Sequence, residues 1–326
     1  MRFRTLGVFA VAGFVLWVSS FALGQAVYGS ISGTVTDPSG AAVPNAAVTV
    51  TDTDRGVSYR TTSNAAGNFE QTHLLAGHYK VKVAAQGFAG FEATADVQVD
   101  ASTRVDARVA VQSASSEVTV TAETPLLKVD RADVSTTLST QELSSLPILN
   151  RNLTEIMFAT PGAQANDWQH AAMENPQGGI QIDVNGQPFT HNGFLLDGTE
   201  NNSPLLGIAV INPNIDSLQE FKVTTSNYDA QFGSVAGALL QATTKSGTNQ
   251  FHGSGFEFLR NDFFNAKDRF SGLTLPLRWN QFGGSFGGPV KKDKLFFFAD
   301  YQGTRRRRTA STVTTVPTAA ERAGDL

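Results

Sequence analysis

A chain of 326 residues with no cysteine and a formal net charge of −4 excludes disulfides, thiolate metal sites and a cysteine nucleophile, and offers no dominant attraction to nucleic acid. That length is enough for two or three modest domains. With 30 glycines and 23 phenylalanines against 12 prolines, strands and turns are favoured over long helices, so the expected class is mainly β with a small α+β part.

The first residues read as an export signal. Arg2 and Arg4 precede an apolar run from Leu6 to Val18, and small residues follow at Ala22, Gly24 and Ala26, the order of charged, apolar and cleavage regions. Residues 1–24 are assigned to this signal, because the apolar run is short against the ~20 residues a spanning helix needs. No later stretch is long and apolar enough to span as a helix, so a membrane role for the mature chain would require strands.

From 27 to 111 the sequence alternates and turns repeatedly. "ISGTVTD", "AAVTVTDTD", "GVSYRTTS" and "GHYKVKVAA" have period two, with Gly or Asn at the reversals, a spacing that predicts a β-sandwich. Gly33 to Asp37, Pro44 to Val50, Gly67-Asn68-Phe69, Leu75 to Tyr79 and Gln86-Gly87-Phe88 resemble the carboxypeptidase regulatory-like, transthyretin-like β-sandwich. No zinc-protease motif such as HExxH occurs, so the resemblance implies an accessory domain rather than a peptidase, with no cofactor or metal. His73 and His78, five apart, are read as surface or edge residues.

Residues 115–123 form a short extended linker. Glu117, Val118, Thr119, Val120, Thr121 and Ala122 resemble a TonB box, the strand by which outer-membrane receptors join a TonB-like energy-coupling protein; strand addition needs main-chain hydrogen bonds and little side-chain specificity. The same residues also read as the last strand of the preceding sandwich.

Between 124 and 248 the pattern becomes mixed. Ser139 to Glu142 forms a capping box, Leu149 to Phe158 predicts a helix, and Asn185-Gly186 and Asp197-Gly198 predict tight turns between strands. Asp216, Glu220 to Val223, Tyr228, Phe232-Gly233, Ala236-Gly237 and Thr243 to Gly247 resemble the end of a TonB-dependent receptor plug domain in order and spacing. "SNYDAQFG" and "TKSGTNQFHG" are similar to Oar-like receptors. The resemblance implies an outer-membrane location with sandwich and plug on the periplasmic side, and an extracellular ligand that Asn192, Asp197, Asn201 and Asn202 at the plug apex would help to contact.

Beyond 249 the aromatics alternate. Phe282 and Phe286 share a face with Gly284, whereas Gln281, Gly283 and Ser285 share the other; Leu295, Phe297, Ala299 and Tyr301 alternate with Asp300 and Gln302. Outward apolar residues with small or polar ones inside are the pattern of a barrel wall against outer-membrane lipid. Residues 261–278 then form a long outer loop and "PVKKDK" a short inner turn. Trp279 and Tyr301 are expected at one interface, with Arg305 to Arg308 at the outer rim. Three strands cannot close a barrel, so 249–326 is expected to be the first strands of an incomplete outer-membrane β-barrel within a longer receptor.

Two other functions compete. The sandwich suits a secreted carbohydrate- or protein-binding adhesion module, although fold does not fix function. An enzyme is disfavoured, because Asp52 with Asp54, Asp130 with Asp133, and Asp216 with Glu220 lack a neighbouring nucleophile or ligand set. "GGSFGG" lacks the Gly-Lys-Ser/Thr of a phosphate loop.

Overall fold

The computed structural model describes residues 28–111, 118–119, 132–146, 148, 151–166, 179–267, 269, 272, 274–308 and 316–325. The segment expected to be the export signal lies outside them. The described chain is mainly β, with few helices and no closed barrel.

The first unit contains β1 (Tyr28–Thr36), β2 (Ala47–Asp52), β3 (Ser58–Thr62), β4 (Asn68–Leu75), β5 (Gly77–Ala84), β6 (Phe91–Val97), β7 (Ser102–Arg104), β8 (Ala107–Arg108) and β9 (Val118–Thr119). One sheet joins β4, β1 and β7, with β8 on β1; the other runs β3-β2-β5-β6-β9. Alternation drives the two together. In β1, Ile31 and Val35 are fully buried, and from the other sheet Val50, Tyr79, Val81 and Ala93 enter the same core. Each fully buried side chain of this size contributes roughly 1.5–3 kcal/mol of transfer energy. The Tyr79 hydroxyl donates to the Leu75 carbonyl at 2.8 Å, so its polar end is satisfied within the core.

The second, mixed unit comprises β10 (Val134–Ser139), α1 (Thr140–Ser145), β11 (Ala163–Ala165), β12 (Ile182–Val184), β13 (Gly193–Leu196), β14 (Thr199–Glu200), β15 (Leu218–Ser226) and β16 (Leu239–Thr244). Its sheet order is β10-β15-β16-β13-β14. The Ser139–Glu142 capping box opens α1 as the sequence predicts. The helix expected at Leu149–Phe158 is instead a 3-10 helix at Leu153–Ala159, capped by Asn152, whose side chain accepts from the Thr154 amide. The Leu153, Ile156 and Met157 side chains still enter the core beside Phe194, Phe221 and Leu240. Asn185-Gly186 and Asp197-Gly198 all have positive φ, as primed turns require. The first ends β12, but the next element is the 3-10 turn Phe189–His191 rather than a strand.

The third unit is an antiparallel sheet of β17 (His252–Asn261), β18 (Leu277–Lys291) and β19 (Leu295–Arg308). β18 and β19 run for 15 and 14 residues, more than the ~9–11 a tilted strand needs to cross a bilayer.

Candidate functional site

The two faces of the β17–β19 sheet differ in chemistry. Cross-strand pairing sets Phe282 opposite Gly303, Gly284 opposite Tyr301, Phe286 opposite Ala299 and Gly288 opposite Phe297, so one face is aromatic and small. Phe286 is 52% exposed, Tyr301 64% and Leu295 55%, which is an inverted pattern for a sheet in water. Rings pack laterally on this face, Phe286 on Phe297 at 5.7 Å and Phe282 on Tyr301 at 6.3 Å between centroids. The opposite face holds Ser254, Gln281, Ser285 and Asp300 together with the Phe256, Phe258, Trp279, Phe296 and Phe298 rings. Gln281 and Ser285 are buried, and the Ser254 and Ser285 hydroxyls lie 3.0 Å apart. Gly283 belongs to this second face; a Cβ there would stand 2.2 Å from the Tyr301 carbonyl oxygen and 2.8 Å from the Phe256 ring, so the close approach requires glycine.

One placement differs from expectation. Trp279 pairs with Arg306 and Tyr301 with Gly284, so the two rings lie on opposite faces and at different heights. The Arg306 guanidinium sits 5.1 Å from the Trp279 ring centroid, a cation–π contact on the polar side. Arg305 to Arg308 end β19 as the ladder partners of Leu277 to Asn280. Phe256 and Phe258 of β17 face the mixed unit.

Those two rings meet Arg151. Its guanidinium lies 4.6 Å from the Phe256 centroid and 4.4 Å from that of Phe258, and it is paired with Asp216. Burial holds the Arg151 pKa below its ordinary value, opposed by the Asp216 carboxylate. The Lys245 ammonium donates to the Asp216 carbonyl at 2.7 Å. Beside this clamp a cavity of about 450 Å³ separates the mixed unit from the sheet, lined by Leu143, Ile148, Arg151, Phe258, Arg260 and Trp279. Sequence reasoning missed Arg151, because nothing local marks an arginine whose partners lie far along the chain.

The two-residue β9 is the described part of the box-like stretch. Val118 and Thr119 pair in parallel with Phe91 and Glu92 at the edge of the β3-β2-β5-β6-β9 sheet. Glu117, Val120, Thr121 and Ala122 lie outside the described residues.

The four residues expected at a plug apex hold backbone in place. Asn192 accepts from the Ala238 amide at 2.8 Å and donates to the Ile182 carbonyl at 2.8 Å. Asn201 bonds both ways to Ile211, at 2.8 and 2.9 Å. Asn202 accepts from the Phe194 amide at 2.6 Å and donates to the Asn192 carbonyl at 3.1 Å. Asp197 accepts from the Thr244 amide at 2.8 Å. These bonds frame the 203–211 loop, on which Leu205 is 88% exposed and Val210 and Ile211 about half exposed.

Of the carboxylates considered for acid–base work, Asp130 lies outside the described residues, and others are engaged. Asp52 accepts from the Asp54 and Arg55 amides and pairs with the Arg55 guanidinium at 2.6 Å. Glu220 accepts from the Val99 amide at 3.1 Å. His78 pairs with Asp96 at 2.6 Å, and His73 lies beside Tyr28; among the described residues no cluster of His, Asp and Glu could hold a metal ion.

Residues 30–112 match the carboxypeptidase regulatory-like domain, and residues 243–326 match the outer membrane beta barrel domain. The barrel match places the chain in the outer membrane. Along 91% of its length the chain is 25% identical to the TonB-dependent transporter Oar of Myxococcus xanthus, and it spans 28% of that relative's length. Two solved structures, the siderophore receptors PirA of Acinetobacter baumannii and of Pseudomonas aeruginosa, are 22% and 21% identical over 52% and 53% of this chain and over 24% and 27% of theirs. Their TM-scores are 0.39 and 0.38.

Proposed function

We propose that this chain, similar to a TonB-dependent transporter over nine-tenths of its length, works within an outer-membrane receptor that takes up an extracellular ligand when a TonB-like partner pulls on it. In this reading 1–24 is the export signal and 27–111 a transthyretin-like sandwich. Residues 115–123 carry the partner's docking strand, 124–248 form the plug, and 249–326 begin the wall. The sandwich and plug lie on the periplasmic side, the reading assigns no enzymatic step, and the energy comes from the partner.

One observation carries the proposal: on β18 and β19 the face that holds Phe282, Phe286, Phe297 and Tyr301 leaves Phe286 and Tyr301 exposed, while Gln281 and Ser285 on the face toward the mixed unit are buried. Water would favour the reverse, whereas hydrocarbon favours this arrangement. The Arg151–Asp216 clamp and its adjacent cavity mark the seam along which a plug would part from the wall. At the apex, Asn192, Asp197, Asn201 and Asn202 support ligand contact by fixing the loop that presents Leu205, Val210 and Ile211.

The direct experiment expresses the full-length receptor and follows its gel mobility with and without heating in the outer-membrane fraction. Heat-modifiable mobility supports a closed wall; recovery only in soluble fractions refutes it. Coupling is read with Val118→Pro, which removes a ladder donor. Uptake should be lost with receptor abundance unchanged, and normal uptake would remove the box assignment.

A further inference from the structure

The two-sheet unit and the mixed unit meet through charge. β15 turns Phe221 and Val223 into the mixed unit's core, and strand alternation turns Glu220 and Lys222 to the opposite face. Both are nonetheless buried, Lys222 with 3% of its surface exposed. Their cover is the turn between β6 and β7. There the Val99 amide donates to Glu220 Oε2 at 3.1 Å, and Lys222 Nζ donates to Asp100 Oδ2 at 3.1 Å and to the Asp100 carbonyl at 3.4 Å. The same ammonium lies 3.4 Å from Asp133 Oδ2.

One cation therefore joins three segments. Asp100 belongs to the two-sheet unit, Lys222 to the central strand pair of the mixed unit, and Asp133 immediately precedes β10. Among the described residues β10 is an edge strand paired only with β15. Because the chain is continuous, tension applied after β9, between 120 and 132, reaches the mixed unit through Asp133. A buried ammonium is stable only while its anionic partners stay in place, so displacing Asp133 weakens the hold on Asp100 as well. The units touch at a second point, where Arg55 donates to Ser246 Oγ at 2.6 Å and the Asn249 amide donates to the Asp54 carbonyl at 3.0 Å.

We propose that Lys222 is an ionic latch between the two-sheet unit and the mixed unit, set to open when the chain ahead of Asp133 is pulled, leaving the Arg55–Ser246 contact as the pivot. The latch stands on geometry alone; its opening under tension rests on the receptor reading above. It makes the two-sheet unit a brake on coupling, since the first work of a pull is spent on separating Asp133 and Asp100 from one lysine.

Since these residues contain no cysteine, the full-length receptor can carry spin labels at Glu70→Cys and Gln141→Cys, both exposed positions on the two units. The expected result is one narrow distance distribution that broadens in Lys222→Met and in Asp100→Asn, and narrows again in Lys222→Arg. Single-molecule pulling on the segment before Asp133 should then show an initial rupture that Lys222→Met lacks. Unchanged distances in both Lys222→Met and Asp100→Asn would overturn the latch, whatever becomes of the receptor reading. Broadened distances with an unchanged first rupture would overturn its role under tension. Failure of the receptor to reach the outer membrane would instead count against the receptor reading.

Discussion

The two-sheet unit and the β17–β19 sheet are written in the same period-two script, yet they bury opposite things. In the first, Val81 and Tyr79 are shut away and the alternate Lys80 and Lys82 bind Glu92 at the surface, at 2.6 and 2.9 Å. In the second, Phe286, Leu295 and Tyr301 are exposed while Gln281 and Ser285 are buried. Alternation therefore fixes the strand but not the solvent. What distinguishes the two is which set of alternate residues has a partner layer, and beyond Gln250 the protein supplies that layer to the polar set.

The comparison is broken most severely by placing one charge on each side of it. Val81→Arg sets an unpaired cation in a closed core and should cost more than about 4 kcal/mol, abolishing the two-sheet unit's protease resistance in the full-length receptor. At the seam, Arg151→Ala leaves Asp216 without its cation and the Phe256 and Phe258 rings without their cover. A loss of about 3 kcal/mol is expected there, read as a lower denaturant midpoint for the mixed unit, with Arg151→Lys recovering only part. Phe286→Arg should leave the water-facing parts intact and cost about 2 kcal/mol in the bilayer, seen as reduced folding yield into vesicles.

The smallest effect sharpens the solvent assignment of the first unit. The hydrogen bond to Asp96 raises the His78 pKa above its ordinary value of 6.5. The resulting stabilisation is therefore full below the unfolded value and fades as pH rises through the raised one. Both side chains are about two-thirds exposed, so screening keeps the contribution small. An NMR titration should find the raised pKa, and Asp96→Asn should return it toward the ordinary value.

Much of this was legible in sequence because its causes are local. The Ser139–Glu142 box, the Asn185-Gly186 and Asp197-Gly198 turns and the faces of β18 and β19 each depend on residues within a few positions of one another. Trp279 was placed at the wrong height, since its level relative to Tyr301 follows from ladder register rather than from alternation along one strand. The helix expected at Leu149–Phe158 starts only at Leu153, where the Asn152 side chain caps it, and runs as a 3-10 helix to Ala159. Arg151 and Lys222 were invisible for another reason. Their partners, Asp216 for one and Asp100 with Asp133 for the other, are distant in sequence, and pattern alone cannot pair them. The Glu220-Phe221-Lys222-Val223 run did carry a signal: charges alternating with core residues in a central strand imply a polar partner on the second face.

The central claim is that the aromatic face of β17–β19 meets acyl chains. Single cysteines at 281 to 286, introduced one at a time into the full-length receptor in lipid vesicles and spin-labelled, report collision with oxygen and with a water-soluble nickel chelate. The account predicts oxygen maxima at 282, 284 and 286, with 281, 283 and 285 low. Labels at 282 and 286 shielded from oxygen, or open to the chelate, would contradict it.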